Sequence, residues 1–532
     1  MPGPGPPHPA PAASGGAAAR PRPWALVLDF GSQYVQLIAR RLREAGVYAE
    51  IHPWHLEAEA VQALAPDALV ISGSPASVAG PGAPRLDPAV LGLGLPVLGI
   101  CFGMQASAHA LGGRVRRAHA REYGRARFRP DSACPLFEGL PPEFRVWMSH
   151  ADSVEELPAG LVPAGRTESC AHAASWDPGR RVCLLQFHPE VTHTEHGPRI
   201  FENFVRRVAG LQAGWTMAAF LDREVPRIRE RVGRERVLLG LSGGVDSSVV
   251  GALLGRAVDR QAVGIFVDHG LLRADEGSQV LAALRGVSPI EIHAVDARAR
   301  FLERLQGVAD PEQKRRIIGE EFVRVFEAEA ARLGGFRFLA QGTLYPDVIE
   351  SAGWTTGPTA RIKTHHNVGG LPADLRFELL EPLRSLFKDE VRALGLALGL
   401  PRELVFRHPF PGPGLAVRIL GPVTPAALET LREADRIFVE GLRRRRLYDK
   451  VWQAFAVLLP VQTVGVMGDE RTYEQVVALR AVTSEDGMTA DWAKLPRAFL
   501  DEVATHIVNR VPGVNRVVYD ISSKPPATIE WE

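Results

Sequence analysis

The chain has 532 residues, of which 46% are hydrophobic and 23% charged, a globular composition long enough for about three domains. A net charge of +1 offers no electrostatic footprint for nucleic acid or an anionic membrane. Four cysteines in so long a chain exclude a disulfide framework and fit a reducing cytoplasm.

The first 23 residues are Pro, Ala and Gly with almost no apolar bulk, which predicts a disordered tail and not a signal peptide. From Trp24 the texture changes. Ala25 to Phe30 reads as a buried strand, and Val35, Ile38, Ala39 and Leu42 mark one face of a helix. Ala68 to Ile71 is a second strand, ending in Ser72-Gly73-Ser74-Pro75. Pro96 to Ile100 is a third. It belongs to the longest uncharged apolar stretch, Ala89 to Met104, which Pro96 and several glycines interrupt and which is short for a membrane span. Strands alternating with helices predict a doubly wound parallel sheet with its chemistry at the strand carboxyl ends.

The third strand runs into Gly99-Ile100-Cys101-Phe102-Gly103 and then a helix. Glycines two positions either side of a nucleophile permit a tight strand-to-helix turn, and the helix N-terminus favours a thiolate. A lone buried cysteine is ordinarily inert, and Cys134, Cys170 and Cys183 are read that way. A thiol nucleophile needs a base and an orienting acid. Gln186-Phe187-His188-Pro189-Glu190 supplies both just past another strand, at the same sheet edge. Together these segments resemble the class I glutamine amidotransferases over about Trp24 to Gly210. The resemblance implies Cys101, His188 and Glu190 as a triad that hydrolyses glutamine through a thioester. It also implies that the backbone N–H groups of Ser74 and Phe102 form the oxyanion hole. Two positions depart from that family's pattern. Ser74 stands where a second glycine is usual, a strained choice if φ there is positive. Ala151 replaces the glycine of Ser-His-Gly-Asp.

Gln212 to Arg236 predicts an amphipathic helix leading into a second α/β domain. Val237 to Leu241 reads as a buried strand, followed by Ser242-Gly243-Gly244-Val245-Asp246-Ser247-Ser248 and an apolar-periodic helix. A strand, a Gly-rich turn and a helix N-terminus make an anion site, with Asp246 suited to a magnesium ion held against phosphate oxygens. No lysine follows the glycines, so this is not the GxxxxGK[ST] loop. It resembles the signature of the ATP pyrophosphatases, which split ATP between its α and β phosphates and activate a substrate as an adenylate. Another strand, Ala262 to Val267, ends in Asp268-His269-Gly270-Leu271-Leu272-Arg273. After Gln341 to Ser351 comes Lys363-Thr364-His365-His366-Asn367, polar, cationic and followed by glycines. It reads as a lid whose Lys363, His365 and His366 meet phosphates; zinc is disfavoured because no further ligand has the right spacing.

Alternating Pro and Gly in His408 to Leu415 break both helix and strand and mark a domain joint or rigid binding loop. Beyond it a small α+β unit is predicted, with strands at Ala416 to Leu420, Ala454 to Leu459, Thr463 to Met467 and Arg516 to Ile521, and helices at Pro425 to Arg446 and Pro496 to Asn509. The run Arg443 to Arg446 reads as a solvated helix face. Residues 522–532 are unusually specific for a terminus, where chains normally fray, and predict docking into a site.

Taken in order, the Cys101 turn, QFHPEVTHTEHG, SGGVDSS, VDHGLLR, QGTLYPDVIES, KTHHNVGGLP, HPFPGPGL and YDISSKPPATIEWE resemble the glutamine-hydrolysing GMP synthetases from Trp24 to Glu532. That resemblance implies three domains: 24–211 amidotransferase, 212–407 ATP pyrophosphatase, and 408–532 dimerisation and XMP binding. It implies Mg-ATP adenylation of XMP, displacement of AMP by ammonia, an XMP pocket at Arg471, Lys524, Ile529 and Glu530, and a cytoplasmic homodimer that engages neither nucleic acid nor membrane. Ammonia is mostly ammonium at neutral pH, so glutaminase activity is expected to stay low until ATP and XMP bind. Other classes fit less well. An NAD- or asparagine-forming ligase lacks a reason for HPFPGPGL and the Lys524 segment. A non-catalytic binding protein does not need Cys101, His188, Glu190 and Asp246. An RNA-modifying enzyme would carry an aromatic and basic surface.

Overall fold

The computed structural model describes residues 20–131, 133–351, 377–467, 470–484 and 489–532. Most of the Pro/Ala/Gly tail, and the lid residues Lys363, His365 and His366, lie outside the described residues. Among the described residues the chain forms two compact units, 20–220 with 349–351 and 221–348 with 377–532.

The first unit is built on nine strands: β1 (Trp24–Asp29), β2 (Tyr48–Pro53), β3 (Ala68–Ile71), β4 (Val97–Ile100), β5 (Arg114–Pro130), β6 (Phe144–Glu156), β7 (Val162–Arg166), β8 (Ala174–Asp177) and β9 (Val182–Leu185). Their order is 2-1-3-4-9-8-7-5-6. The strands β2, β1, β3, β4 and β9 are parallel. β1, β3, β4 and β9 are buried throughout, as their unbroken apolar runs require. β4 and β9 are neighbours, with Ile100 opposite Leu185, so the turns following them leave the same sheet edge side by side. The long β5–β6 ribbon is not legible in the sequence. β5 carries arginines, Glu122 and Tyr123 in place of an apolar face, because much of the ribbon is solvated.

The second unit holds a five-stranded parallel sheet of β10 (Val237–Leu241), β11 (Ala262–Asp268), β12 (Glu291–Asp296), β13 (Phe338–Ala340) and β14 (Glu378–Leu380), in the order 12-11-10-13-14. The chain goes from β10 to β11 on one side and later returns to β13 on the other. The turn after β10 therefore sits at the topological switch point, where open α/β sheets bind ligands. The helix before this sheet is Met217–Val232, shorter at both ends than its polar flanks imply.

The same unit contains a smaller sheet of β15 (Gln453–Met467), β16 (Glu470–Thr483), β17 (Asp491–Trp492) and β18 (Val514–Tyr519), with β18 parallel to β16. The two strands expected at Ala454 to Leu459 and Thr463 to Met467 are one strand with an irregularity between Leu459 and Gln462. The helices run Pro425–Arg444 and Arg497–Arg510, close to expectation. The strand expected at Ala416 to Leu420 is absent. Gly414–Arg418 is a 3-10 turn instead. Gly414 has φ +64°, which curls the chain before the apolar run can extend, and Leu415 N–H donates to the Leu271 carbonyl at 2.8 Å. A Cβ on Gly414 would overlap that carbonyl oxygen. Gly414→Ala is expected to lower unfolding stability by at least about 1 kcal/mol, the penalty of a left-handed non-glycine residue alone. An unchanged thermal midpoint would contradict this packing.

Candidate active sites

The first site forms where β4 and β9 end. Cys101 has φ +55° and ψ −107°, a conformation that L residues rarely adopt, and it caps the Phe102–Ala110 helix. Crowding explains the flanking glycines. A Cβ on Gly99 would lie 2.7 Å from Leu184 Cδ2, and one on Gly103 would run into the Ile71 carbonyl. Cys101 N–H donates to Leu185 O at 2.7 Å, tying the turn to β9. The Cys101 sulfur meets the Ser149 carbonyl at 3.6 Å and the Gln186 amide at 3.9 Å.

His188 Nδ1 lies 2.7 Å from Glu190 Oε1, and both side chains are buried. The Tyr34 ring meets the imidazole edge-on at 5.2 Å between centroids. Burial by itself disfavours the imidazolium. The Glu190 charge, then the charge on Cys101 and hydrogen bonds to both, outweigh it and hold His188 well above its ordinary range. The imidazole is thus tied to Glu190 and feels the charge of Cys101, the arrangement in which a thiol nucleophile has a base and an orienting acid at hand.

Ser74 is not among the left-handed residues, so replacing a glycine there adds no backbone strain. Gly73, its neighbour, lies against the imidazole, with Cβ space 3.4 Å from His188 Cε1. Ala151 is likewise an ordinary residue within β6. Next to it a network appears that the sequence did not reveal. His150 Nδ1 is 2.9 Å from Asp152 O, and its Nε2 is 3.1 Å from Glu122. The same Glu122 accepts from Thr167 at 2.9 Å and from Ser169. Glu122, His150 and Cys170 offer metal-type atoms within 4.8 Å of one another, yet the carboxylate is already taken up by three donors. The Cys170 thiol is pushed up to about 12, chiefly by burial, in keeping with an inert cysteine.

The second site is the turn after β10. Gly243 takes φ +77°, Gly244 caps the Val245–Val258 helix, and Asp246 lies in that helix's first turn. Ser242 Oγ accepts from Gly244 N–H at 3.2 Å, and the Ser247 and Ser248 hydroxyls donate to Gly244 O at 3.2 and 2.8 Å. Sequence spacing hid one residue here. Lys388, the first residue of the Lys388–Ala397 helix, brings Nζ to 2.6 and 2.7 Å from the two Asp246 carboxylate oxygens. The loop that lacks a lysine in sequence has one in space. Arg407 donates to Gly243 O at 2.6 Å and pairs with Glu276, holding the turn from outside. Gly342, in the QGTLYPD segment, packs on Asp246 so closely that a Cβ there would sit 3.1 Å from its Cβ.

The residues assigned to an XMP pocket do not form one cluster within a chain. Ile529 packs on Phe455, Val457 and Ala478, Lys524 pairs its backbone with Ala490, and Glu530 is held by Arg418 and Gln453. Arg471 is exposed near the β15–β16 turn, nine residues along β16 from Arg480, which holds the 522–529 backbone. At ~3.3 Å per residue that is roughly 30 Å away.

Geometry of this kind belongs to an amidotransferase joined to an adenylating ligase. Residues 26–208 match the model of the family "Glutamine amidotransferase class-I", 217–296 that of "NAD synthase", and 440–531 that of the "GMP synthase C terminal domain". The NAD synthase match spans β10 and the turn after it. The GMP synthase [glutamine-hydrolyzing] of Thermosipho africanus is 55% identical over 511 residues, covering 95% of this chain and 99% of its own. That of Thermomicrobium roseum is 58% identical over 508 residues, covering 95% and 96%. A solved structure, a glutamine amidotransferase from Thermotoga maritima, is 17% identical, covers 35% of this chain and 99% of its own, and has a TM-score of 0.29. The chain belongs to the glutamine-hydrolysing GMP synthase family.

Glu190→Gln removes the largest charge that raises His188. The alkaline limb of glutaminase kcat/KM is therefore expected to move to lower pH, with a loss of about a hundredfold at the optimum. A limb that stays in place would mean that Glu190 does not hold His188 protonated.

Proposed function

We propose that the chain makes GMP from XMP with glutamine as nitrogen donor and ATP as activator, its three stretches 24–211, 212–407 and 408–532 releasing ammonia, adenylating XMP and binding it. The observation that carries the reading is the match at 440–531, because the acceptor-binding part separates this ligase from others that share its loop.

The chemistry follows from the two sites. The Cys101 thiolate attacks the γ-amide carbon of glutamine. Backbone N–H groups of Ser74 and Phe102 receive the oxyanion, and His188 hands its proton to the departing ammonia. Water then attacks the thioester, His188 accepts a proton, and glutamate leaves. In the second unit the C2 oxygen of XMP attacks the α-phosphorus of ATP. The bond to the β-phosphate breaks and pyrophosphate departs. Ammonia adds at C2 and expels AMP, so that a poor leaving oxygen exits as a good one. The segment Ser242 to Ser248 receives the pyrophosphate through its N–H and hydroxyl groups. Lys388 offsets charge there as the α–β bond breaks.

Asp246 fits a magnesium ion, which favours one or two carboxylates plus substrate phosphates. With the ion bound, Asp246 would hold it while keeping its pairing with Lys388. Bound magnesium would neutralise phosphate charge; the residues named above do the positioning. Lys524, Ile529 and Glu530 contact XMP.

A homodimer is supported by one face of the β15–β16 ribbon. Val464 lies opposite Tyr473, and Val466 opposite Arg471, and all four are exposed, Val466 to 74%. A second copy on that face would bury Val464, Val466 and Tyr473. The near-neutral net charge supports small-molecule partners and no nucleic acid. All four cysteines are free, which supports a cytoplasmic setting. No helix among the described residues is long and apolar enough to cross a membrane.

The test is synthesis of GMP from XMP, ATP, Mg and either glutamine or ammonia. Cys101→Ala is expected to abolish the glutamine-dependent reaction and spare the ammonia-dependent one. Lys388→Met should lose both syntheses by about a hundredfold or more while glutamine hydrolysis persists. Loss of both syntheses in Cys101→Ala would overturn the division of roles.

A further inference from the structure

Three cations with fully buried side chains hold residues 522–532. Arg480 donates to the carbonyls of Ser522, Thr528 and Ile529 at 2.6, 3.1 and 3.4 Å. Arg418 grips the Glu530 carboxylate with two bonds of 3.0 and 2.8 Å. Lys314, on the Pro311–Leu333 helix, meets Glu532 Oε2 at 2.6 Å. Each of the three side chains is 0% exposed.

Lys314 differs from the two arginines in what it joins. Its ammonium has three donors, and three acceptors receive them: Ala416 O at 3.1 Å, Ile419 O at 2.6 Å and the Glu532 carboxylate. Two of these belong to the stretch Gly414 to Ile419, which replaces the expected strand. They are neutral carbonyls, and among the described residues Glu532 is the one carboxylate paired with Lys314. A buried ammonium stripped of its counter-ion is strongly disfavoured. Seating Glu532 and seating the turn are therefore coupled. The turn also carries Arg418, which fixes Glu530 two residues before Glu532. Lys314 lies in the stretch assigned to adenylation, whereas Glu532 ends the stretch assigned to the acceptor.

We propose that the Lys314–Glu532 ion pair is a latch that sets the position of residues 524–532, and with it the affinity for the purine nucleotide acceptor. Lys314 and Glu532 are positioning residues: they act through Lys524, Ile529 and Glu530. The proposal rests on the reading of those three residues as acceptor contacts.

The experiment measures ammonia-dependent GMP synthesis by the full chain carrying Glu532→Gln, with Glu532→Asp and Lys524→Ala alongside. Lys314→Met risks failing to fold, so the Glu532 variants carry the test. Glu532→Gln keeps the shape and removes the charge. KM for XMP is expected to rise about tenfold, the worth of one charge-assisted bond. KM for ATP and glutamine hydrolysis should be unchanged, with Glu532→Asp intermediate, while the thermal midpoint falls because the buried Lys314 ammonium loses its counter-ion. An unchanged KM for XMP in Glu532→Gln, with Lys524→Ala impaired, overturns the latch and leaves the acceptor reading standing. So does a parallel loss in every substrate, which marks a structural role. An unchanged KM for XMP in Lys524→Ala as well overturns the acceptor reading itself.

Discussion

Both sites depend on one constraint: a strand of a parallel sheet must turn into a helix in a few residues, with no room for side chains at the bend. At the first site that crowding falls on Gly99 and Gly103, which press against Leu184 and the Ile71 carbonyl. What is squeezed out is Cys101, left in a left-handed conformation at the helix N-terminus. At the second site Gly243 takes the positive φ and Gly342 lies flat against Asp246. The first bend presents a sulfur, the second a row of N–H and hydroxyl donors. Sheet order does the rest. It sets β9, with His188 and Glu190, beside β4, and it places the β10 turn where the connection changes direction.

Charge is then distributed so that ionised groups in and around the sites are paired. Glu190 and Cys101 hold the His188 pKa well above its ordinary range, against the pull of burial. Asp246 meets Lys388, which arrives from a helix 142 residues further on. Around residues 522–532 the pattern repeats with Arg480, Arg418 and Lys314. Asp246 and residues 522–532 are thus fixed by charged partners distant in sequence, in segments that contact substrate in our reading.

The parts legible from sequence were those in which local chemistry is dense. Unbroken apolar runs gave the buried parallel strands, and glycine frames gave both turns. Four kinds of feature escaped. The β5–β6 ribbon escaped because a solvated strand has no apolar alternation. The run Ala416 to Leu420 was misread as a strand because Gly414 and its contact with Leu271 override its propensity. Lys388 escaped because spacing along the chain says nothing about which helix N-terminus the fold delivers to a carboxylate. Arg471 was grouped with Lys524 by resemblance, whereas strand geometry separates the two within one chain.

The central claim is that the β10 turn makes an adenylate of the acceptor and not a phosphoryl ester. The oxygen of XMP at C2 records the difference. With that oxygen labelled as 18O and the products of ammonia-dependent synthesis analysed by mass, the account predicts that the label appears in the phosphate of AMP. Label found in pyrophosphate or inorganic phosphate, with AMP unlabelled, would contradict it.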